Sequence, residues 1–353
     1  MNPMRLTHGL SALVCLAACT GASHDVLPSP APTAWSFSSQ EEALAAASCP
    51  DGAADGFAAT TALNVTPVSA GSQDDLAAAL DGIVFRAGWS LSTSYASFGG
   101  LSGLKVRDDG SLLAVSDSGA LVELPFDQQA LAPLPQATIT FLTDETGAIL
   151  TGKSDADAEG LEVRGGLIFV SFERRHRIAA YGYAICGSQA RAVPVARMTS
   201  RPAGLRTGVA PNAGGEALAL DGDRLLLGIE SMEEAAGPIG EVRSNGTVSF
   251  DGTPRIDAGR MPLVGLDISD GTRYSLHRAY NPLTGRNHIR IYETKADGSA
   301  RRLADLGKSL KLDNFEGIAV LPLADGRRRI FIISDDNFSD QQETLLYVFE
   351  TLE

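Results

Sequence analysis

The chain has 353 residues, with 29 Lys and Arg against 43 Asp and Glu, and a formal net charge of -14 at pH 7. Such an acidic chain is not expected to bind nucleic acid, because phosphate backbones are bound by basic surfaces. After the first segment no apolar run approaches membrane-spanning length, so contact with a membrane is expected through an anchor only.

Residues 1–18 have the order of a secretory signal peptide: Arg5 and His8, then the apolar stretch 10–16, then small residues. Leu-Ala-Ala-Cys at 16–19 resembles the bacterial lipoprotein signal, in which the cysteine becomes the lipidated first residue. The sequence therefore predicts lipidation at Cys19 and a location in the cell envelope, at the outer membrane or a periplasmic face. An ordinary signal peptide is the alternative, and it also leads to export.

Residues 19–60 are predicted to form the lipidated cysteine and a flexible linker, followed by a globular domain over 61–353. The stretch from Thr20 to Ser39 is rich in Ala, Ser and Pro and is too poor in large apolar side chains to bury a core. We therefore expect a disordered tether that holds the domain away from the membrane.

Two cysteines remain once Cys15 is removed with the signal and Cys19 is assigned to the lipid. They are Cys49 and Cys186, and an oxidising compartment would allow them to form a disulfide. Two free buried thiols are the alternative, because the sequence alone does not bring the two together.

A five-residue motif recurs along the chain: acid or Ser, small, apolar, any residue, apolar. Its copies lie at 102–106, 159–163, 216–220 and 316–320, with a degenerate copy at 264–268. The small residues of successive copies are 57, 57, 48 and 52 positions apart. A turn and further short strands follow each copy. Four antiparallel strands per unit, repeated at this interval, are typical of a β-propeller.

The last unit stops after a third strand near Phe349, and an apolar strand from Ile83 to Ser92 precedes the first unit. We expect this early strand to complete the last blade, with Phe85 near Phe349, which would protect the sheet edges. The sequence therefore predicts an all-β fold, a propeller of five four-stranded blades. A sixth blade containing Thr60 to Val68 is the alternative.

The first strand of each propeller blade lines the central channel, so the first residues of the motif copies should meet at one mouth. They are Ser102, Glu159, Glu216, Val264 and Glu316. Carboxylates gathered in a channel repel one another and lose hydration, a cost that a bound cation or shared protons must offset. Oxygen ligands suit calcium or another divalent cation. We therefore predict Glu159, Glu216 and Glu316 as metal ligands.

A second ring of polar residues follows at the ends of the next strands. It consists of Asp117, Glu173, Glu230, Arg278 and the run Asp335-Asp336-Asn337. Asp335 or Asp336 is predicted to take a proton from water, with His277 as a further catalytic residue. Arg278 and Arg174 are predicted to hold an anionic substrate group. The alternatives are that the Asp residues only form turns and that the loop at Arg174 is simply solvated.

Four segments resemble the bacterial phytase-like domain family, which is described as having esterase-like activity. They are Asp-Ala-Glu-Gly-Leu-Glu-Val at 157–163, Gly-Gly-Glu-Ala-Leu-Ala-Leu at 214–220, Asn-Phe-Glu-Gly-Ile-Ala-Val at 314–320 and Ile-Ile-Ser-Asp-Asp-Asn-Phe at 332–338. The resemblance covers about Phe85 to Glu353 and implies a propeller with phosphodiesterase or phosphatase-like hydrolysis. By position, it points to Glu159, Glu216, Glu316, Asp335 and Asp336, and the chain departs from a uniform pattern at Ser102 and Val264.

The predicted function is an envelope-anchored, metal-dependent hydrolase that cleaves a phosphate or carboxylic ester in a small anionic substrate. We expect it to act as a monomer. The alternative is a noncatalytic propeller that binds an envelope protein and uses its acids to hold a structural ion.

Overall fold

The computed structural model describes residues 32–50, 58–232, 236–253, 255–257 and 260–352. The predicted signal peptide, Cys19 and most of the predicted tether lie outside these ranges, so cleavage and lipidation remain predictions. Within the same ranges, no helix combines the length and apolar character needed to cross a bilayer.

Five antiparallel sheets follow one another along the chain, and we number them blades 1 to 5. From the inside outward, blade 1 contains Leu101–Val106, Leu112–Ser116, Ala120–Leu124, Gln136–Phe141 and Ala58–Ala62; blade 2 contains Ala158–Arg164, Leu167–Phe172, Arg177–Tyr181 and Val193–Arg197. Blade 3 contains Gly215–Asp221, Arg224–Ile229, Ala236–Val242 and Val248–Ser249, with Arg255–Asp257 also paired to its third strand. Blade 4 contains Leu263–Ser269, Thr272–Asn281, Arg286–Thr294 and Ala300–Leu306; blade 5 contains Asn314–Pro322, Arg328–Asp335, Thr344–Thr351, Ile83–Ser92 and Asn64–Pro67.

The inner strands of consecutive blades contact one another around the whole ring, including the pair from blades 5 and 1. The predicted all-β, five-bladed propeller is therefore confirmed. A small ribbon, Phe126–Asp127 with Ala132–Pro133, forms its own two-stranded sheet, and Phe126 packs on Phe331 of blade 5.

The ring closes through the early strand Ile83–Ser92, which pairs with the last strand of blade 5 and places Phe85 opposite Phe349. The segment expected in a sixth blade forms outer strands instead: Ala58–Ala62 joins blade 1 and Asn64–Pro67 joins blade 5. The sixth-blade alternative is therefore wrong. The outermost strands of blades 1 and 5 each have a free edge for pairing, so the segment extends these two sheets.

The recurring motif has a packing cause. In all five inner strands the pairing register shifts within the motif or directly beside it, which is where a β-bulge re-aims side chains. A Cβ added to Gly103, Gly160 or Gly265 would lie 2.5 to 3.1 Å from the carbonyl oxygen of an acidic motif residue in the next blade. At Gly317 the nearest atom is the Ser102 oxygen of blade 1. The small residue therefore lets adjacent inner strands approach closely.

A helix, Phe37–Ser48, packs on the sheets of blades 2 and 3. Trp35 contacts Phe169 edge to face at 5.7 Å, and Leu44 is buried in the same cluster. Over residues 32–50 this corrects the flexible linker predicted for 19–60, because Trp35, Phe37 and Leu44 pack against the blades. Cys49, directly after the helix, forms a disulfide with Cys186, with Cα atoms 5.9 Å apart.

The other helices are shorter. They are Gln73–Ala79, Lys153–Ala156, Tyr183–Cys186 and the 3-10 turn Gly187–Gln189. The first begins after Ser72, whose hydroxyl accepts a hydrogen bond from the Asp75 backbone N–H, as an N-cap does. It runs beside the outer strand of blade 4, where Leu80 bridges to Ala304. Lys153–Ala156 places Lys153 beside Asp117 at one end of the central channel.

Candidate active site at the channel mouth

A cavity of about 150 Å³ opens at one end of the central channel. It is lined only by polar and charged residues: Asp117, Lys153, Asp157, Glu159, Glu173, Arg174, Asn212, Glu216, Glu230, Glu316, Asp335 and Asn337. Eight of them are carboxylic acids and two are cations. The structure thus brings the two predicted rings of acids together at one mouth, where acids outnumber cations.

The acids of the inner ring are buried, with Glu159 and Glu216 each 7% exposed and Glu316 9% exposed. Burial raises the pKa of all three, and to about 8 for Glu316. Negative neighbours add to this effect, since the pKa of Glu216 is raised further by the charge of Glu159. Each of the three is therefore costly to keep ionised in the free protein.

Glu216 and Glu316 differ in their partners. Within the part of the chain that the structure describes, no hydrogen bond or ion pair reaches its carboxylate. Glu316, by contrast, accepts hydrogen bonds from Ser102 Oγ at 3.1 Å and from Asn314 Nδ2 at 2.8 Å. A buried acid without such a partner favours a ligand, as does Asp117 Oδ1, a buried oxygen of the same mouth that has no hydrogen-bond partner among the described residues.

Asp335 stands beside Glu316 at the end of the second strand of blade 5. Its carboxylate accepts hydrogen bonds from the Asn337 backbone N–H at 2.6 Å and from Asn314 Nδ2 at 3.2 Å. Burial raises the pKa of Asp335 to about 7, although the Asn337 hydrogen bond acts in the opposite direction. A carboxyl that changes charge near neutral pH suits proton transfer.

Three cations neutralise part of the acid charge. Lys153 donates to Asp117 and Asp157, and Arg174 Nε donates to Asp157 at 2.6 Å. Arg278 Nη2 contacts Glu230 at 3.1 Å and Glu316 at 3.2 Å. Arg174 and Arg278, predicted to bind substrate, thus lie at the site but already pair with its acids.

His277 and Asp336 correct the predicted catalytic set. His277 is fully buried within blade 4, with Nδ1 3.1 Å from the Met261 carbonyl oxygen and Nε2 3.0 Å from Ser275 Oγ. Successive side chains of a strand point to opposite faces of the sheet, so His277 and Arg278 lie on opposite faces of blade 4. Asp336 accepts hydrogen bonds from the Gly100 and Phe338 backbone N–H groups and from Thr344 Oγ1, so it joins blade 5 to blade 1 as a turn former.

The donor set at the mouth fits a hard divalent cation. Oxygen atoms of Asp157, Glu159 and Glu173 lie within 4.8 Å of one another, close enough to share an ion. This group overlaps the predicted trio only at Glu159. Sequence reasoning missed Asp157, although it precedes Glu159 by two positions and residues two apart in a strand share a face. Lys153 carried no signal, because its helix lies in a connection between blades.

The opposite end of the channel is closed by a different cluster, at the fourth position of the motif. Lys105 Nζ lies 2.8 Å from Glu162 Oε2 and 2.5 Å from Asp267 Oδ1, and all three side chains are buried. The acids also accept backbone hydrogen bonds, from Leu220 to Glu162 and from Val320 to Asp267. This paired cluster leaves the acidic mouth as the accessible end.

A family model described as "Phytase-like: Esterase-like activity of phytase" matches residues 96–338. No curated protein sequence matches the chain significantly. Among solved structures, the PQQ-bound aldose sugar dehydrogenase of Streptomyces coelicolor is 13% identical, with 77% of this chain and 100% of that chain covered and a TM-score of 0.42. The endo-arabinase of Bacteroides thetaiotaomicron is 15% identical, with coverages of 73% and 95% and a TM-score of 0.42. Such distant similarity assigns neither substrate nor cofactor to this chain.

Proposed function

Because the chain belongs to the phytase-like family, described by its esterase-like activity, we propose that it is a metal-dependent hydrolase that cleaves a phosphate or carboxylic ester at the channel mouth. The observation that carries this proposal is Glu216, a buried carboxylate without a hydrogen-bond partner among the described residues, in a cavity lined by eight acids. An anionic ester would be repelled from such a cavity unless a cation reversed its field.

Glu159 is the centre of the proposed metal site, because it belongs both to the inner ring and to the group with Asp157 and Glu173. Asp157 is shared with Lys153 and Arg174, and Glu173 accepts a hydrogen bond from the Gly214 backbone N–H. Glu216 and Glu316 supply further oxygen donors from blades 3 and 5. When bound, a calcium-like ion would supply positive charge for the ester and lower the pKa of water.

Asp335 is the proposed general base. Asn314 and the Asn337 backbone N–H orient its carboxylate toward the cavity, and its pKa of about 7 allows it to accept a proton at neutral pH. As Asp335 takes the proton of a water molecule, the water oxygen bonds to the phosphorus or acyl carbon. The bond to the leaving oxygen then breaks, and the proton on Asp335 passes to that oxygen.

The test uses the globular part beginning at Pro32, assayed against p-nitrophenyl phosphate, its diester analogue and p-nitrophenyl acetate, with calcium or with chelator. We expect hydrolysis of at least one ester only with the cation. Asp335→Asn should lower kcat by about 100-fold or more, because it removes the proton acceptor. Calcium should also raise the melting temperature, since it binds only the folded site.

Glu216→Gln is the sharper variant, because it keeps the side-chain shape but removes a negative donor. It should reduce both the calcium-induced rise in melting temperature and the activity, and Glu42→Gln on the exposed face of the first long helix should change neither. If calcium stabilises the parent protein but no ester is cleaved, the noncatalytic propeller with a structural ion replaces the hydrolase. If calcium has no effect on either property, the metal site is excluded.

The proposal includes a place in the cell envelope, through a lipid on Cys19. Because lipidation needs the thiol, Cys19→Ser should lose acyl labelling and leave the membrane fraction or remain unprocessed, while Cys15→Ser should behave as the parent does. Unchanged labelling and partitioning of Cys19→Ser would contradict the anchor.

A further inference from the structure

A second and larger cavity lies against blade 2, with a volume of about 930 Å³. Its walls come from segments 144–155, 174–177 and 197–211, together with Tyr181 and Ala192. We call it the blade 2 groove. Its volume is in the range of small-molecule pockets, whereas the mouth, at about 150 Å³, has room for little more than an ion and a reacting group.

The groove differs from the mouth in the balance of its charges. Its lining contains four arginines, Arg174, Arg175, Arg177 and Arg197, against three acids, Asp144, Glu145 and Asp155. Apolar side chains also line it, including Ile149, Leu150, Met198 and Val209, and Ile149 is 52% exposed. A cluster of cations beside apolar surface is unusual in a chain with a net charge of -14, and it fits a ligand that is both anionic and apolar.

The arginines of the groove are close enough to affect one another. Desolvation lowers the pKa of Arg177, and the positive charges of Arg175 and Arg197 lower it further. Arg177 lies over the Phe172 ring at 3.8 Å, and Arg175 pairs with Asp155. No acidic side chain of the described ranges pairs with Arg197. Because Arg174 and Arg175 already pair with acids, Arg197 is the arginine of the groove with the most unused capacity for an anion.

Arg174 connects the groove to the mouth, because it lines both cavities. Its backbone has a φ of +54°, which a residue with a side chain rarely adopts, and its N–H donates to the Pro211 carbonyl oxygen at 2.9 Å. Its side chain reaches Asp157 at the mouth. The strained residue thus fixes the wall of the groove beside the acids.

From these contacts we infer that the blade 2 groove binds the body of the substrate, an amphiphilic anion whose acidic group is held by Arg197 and Arg175 and whose apolar part lies on Ile149 and Met198. The inference rests on the proposed function for what happens at the mouth, but the binding itself does not require catalysis. The ester bond of the bound substrate would extend past Arg174 and lie among the acids of the mouth. The acidic group is a phosphate or a carboxylate, since guanidinium groups bind both.

The experiment measures binding by calorimetry with three probes that the protein does not hydrolyse: 1-naphthylphosphonate, 1-naphthoate and the neutral 1-naphthalenemethanol. The parent protein should bind one or both anions at least tenfold more tightly than the alcohol, and the stronger anion identifies the acidic group. Arg175→Met with Arg197→Met should weaken anion binding at least tenfold and leave alcohol binding unchanged. Arg286→Met, on the exposed turn of blade 4, is the matched control.

Two results would overturn the inference: equal affinity for the alcohol and the anions, or unchanged anion binding in the double arginine variant when its melting temperature equals that of the parent. Glu216→Gln separates the two proposals. It should reduce ester hydrolysis and leave naphthyl anion binding within twofold of the parent value. Loss of naphthyl binding in Glu216→Gln, or in the parent protein treated with chelator, would place the anion at the mouth and contradict the groove.

Discussion

The two ends of the central channel use the same five inner strands and differ in how their charges are matched. At the closed end, Lys105 contacts both Glu162 and Asp267, and backbone N–H groups complete the acids. At the mouth, eight acids face two lining cations, and Glu216 has no partner in the described ranges. A buried polar cluster whose groups are all paired stabilises the fold. A buried cluster with unpaired acids is instead a candidate functional site.

The largest effect is expected at the closed end. Lys105→Met removes the one cation of the buried cluster and leaves Glu162 and Asp267 without charge compensation. The free energy of unfolding, measured with urea, should fall by about 3–5 kcal/mol. Lys311→Met, which breaks an exposed pair with Glu343, should cost less than about 1 kcal/mol. Equal losses in the two variants would show that the buried cluster contributes no more to stability than an exposed ion pair does.

A smaller effect is expected from Glu316→Gln at the mouth, and it depends on pH. The folded-state pKa of Glu316 is raised from 4.5 to about 8. Its contribution to stability is therefore complete below about pH 4.5 and is lost as the pH rises through about 8. In chelator, the free energy of unfolding of the parent should fall over this range. The free energy of unfolding of Glu316→Gln should fall less, and at pH 8 it should exceed that of the parent by on the order of 2 kcal/mol.

Glu42→Gln provides the control for this pH series, because it removes an acid that is exposed in the folded protein and should keep the slope of the parent. Calcium should oppose the loss at pH 8 in the parent, since the cation binds the ionised acids. A Glu316→Gln protein with the same pH slope as the parent would contradict the raised pKa as a source of instability.

The smallest effect is expected from Arg278→Met, which removes a cation from the mouth and leaves its acids less compensated. Arg278 pairs with Glu230 and Glu316 and its side chain is 17% exposed, so the loss at neutral pH should be about 1 kcal/mol. The free energy of unfolding should depend more steeply on pH than in the parent. Calcium should also raise the melting temperature more than it does in the parent. A weaker dependence of the free energy of unfolding on pH would show that Arg278 does not compensate the charges of Glu230 and Glu316.

Much of this site was predictable from the repeat. The motif spacing identified the inner strands, and counting onward from it reached Asp117, Glu173, Glu230 and Arg278, which all contribute to the mouth. His277 directly precedes Arg278, but strand alternation places the two side chains on opposite faces. Asp336 followed Asp335 in the same way, but its hydrogen bonds hold a turn.

The sequence by itself determined the five blades, the way the ring closes and the convergence of acids at one mouth, because these follow from a periodic pattern that each strand repeats locally. Only the tertiary structure decided which charges are matched. Lys105 meets Asp267 across 162 positions, and the blade 2 groove is assembled from three separate connections. Such pairings depend on how loops and side chains from different blades fit together, and no local pattern in the chain records that fit.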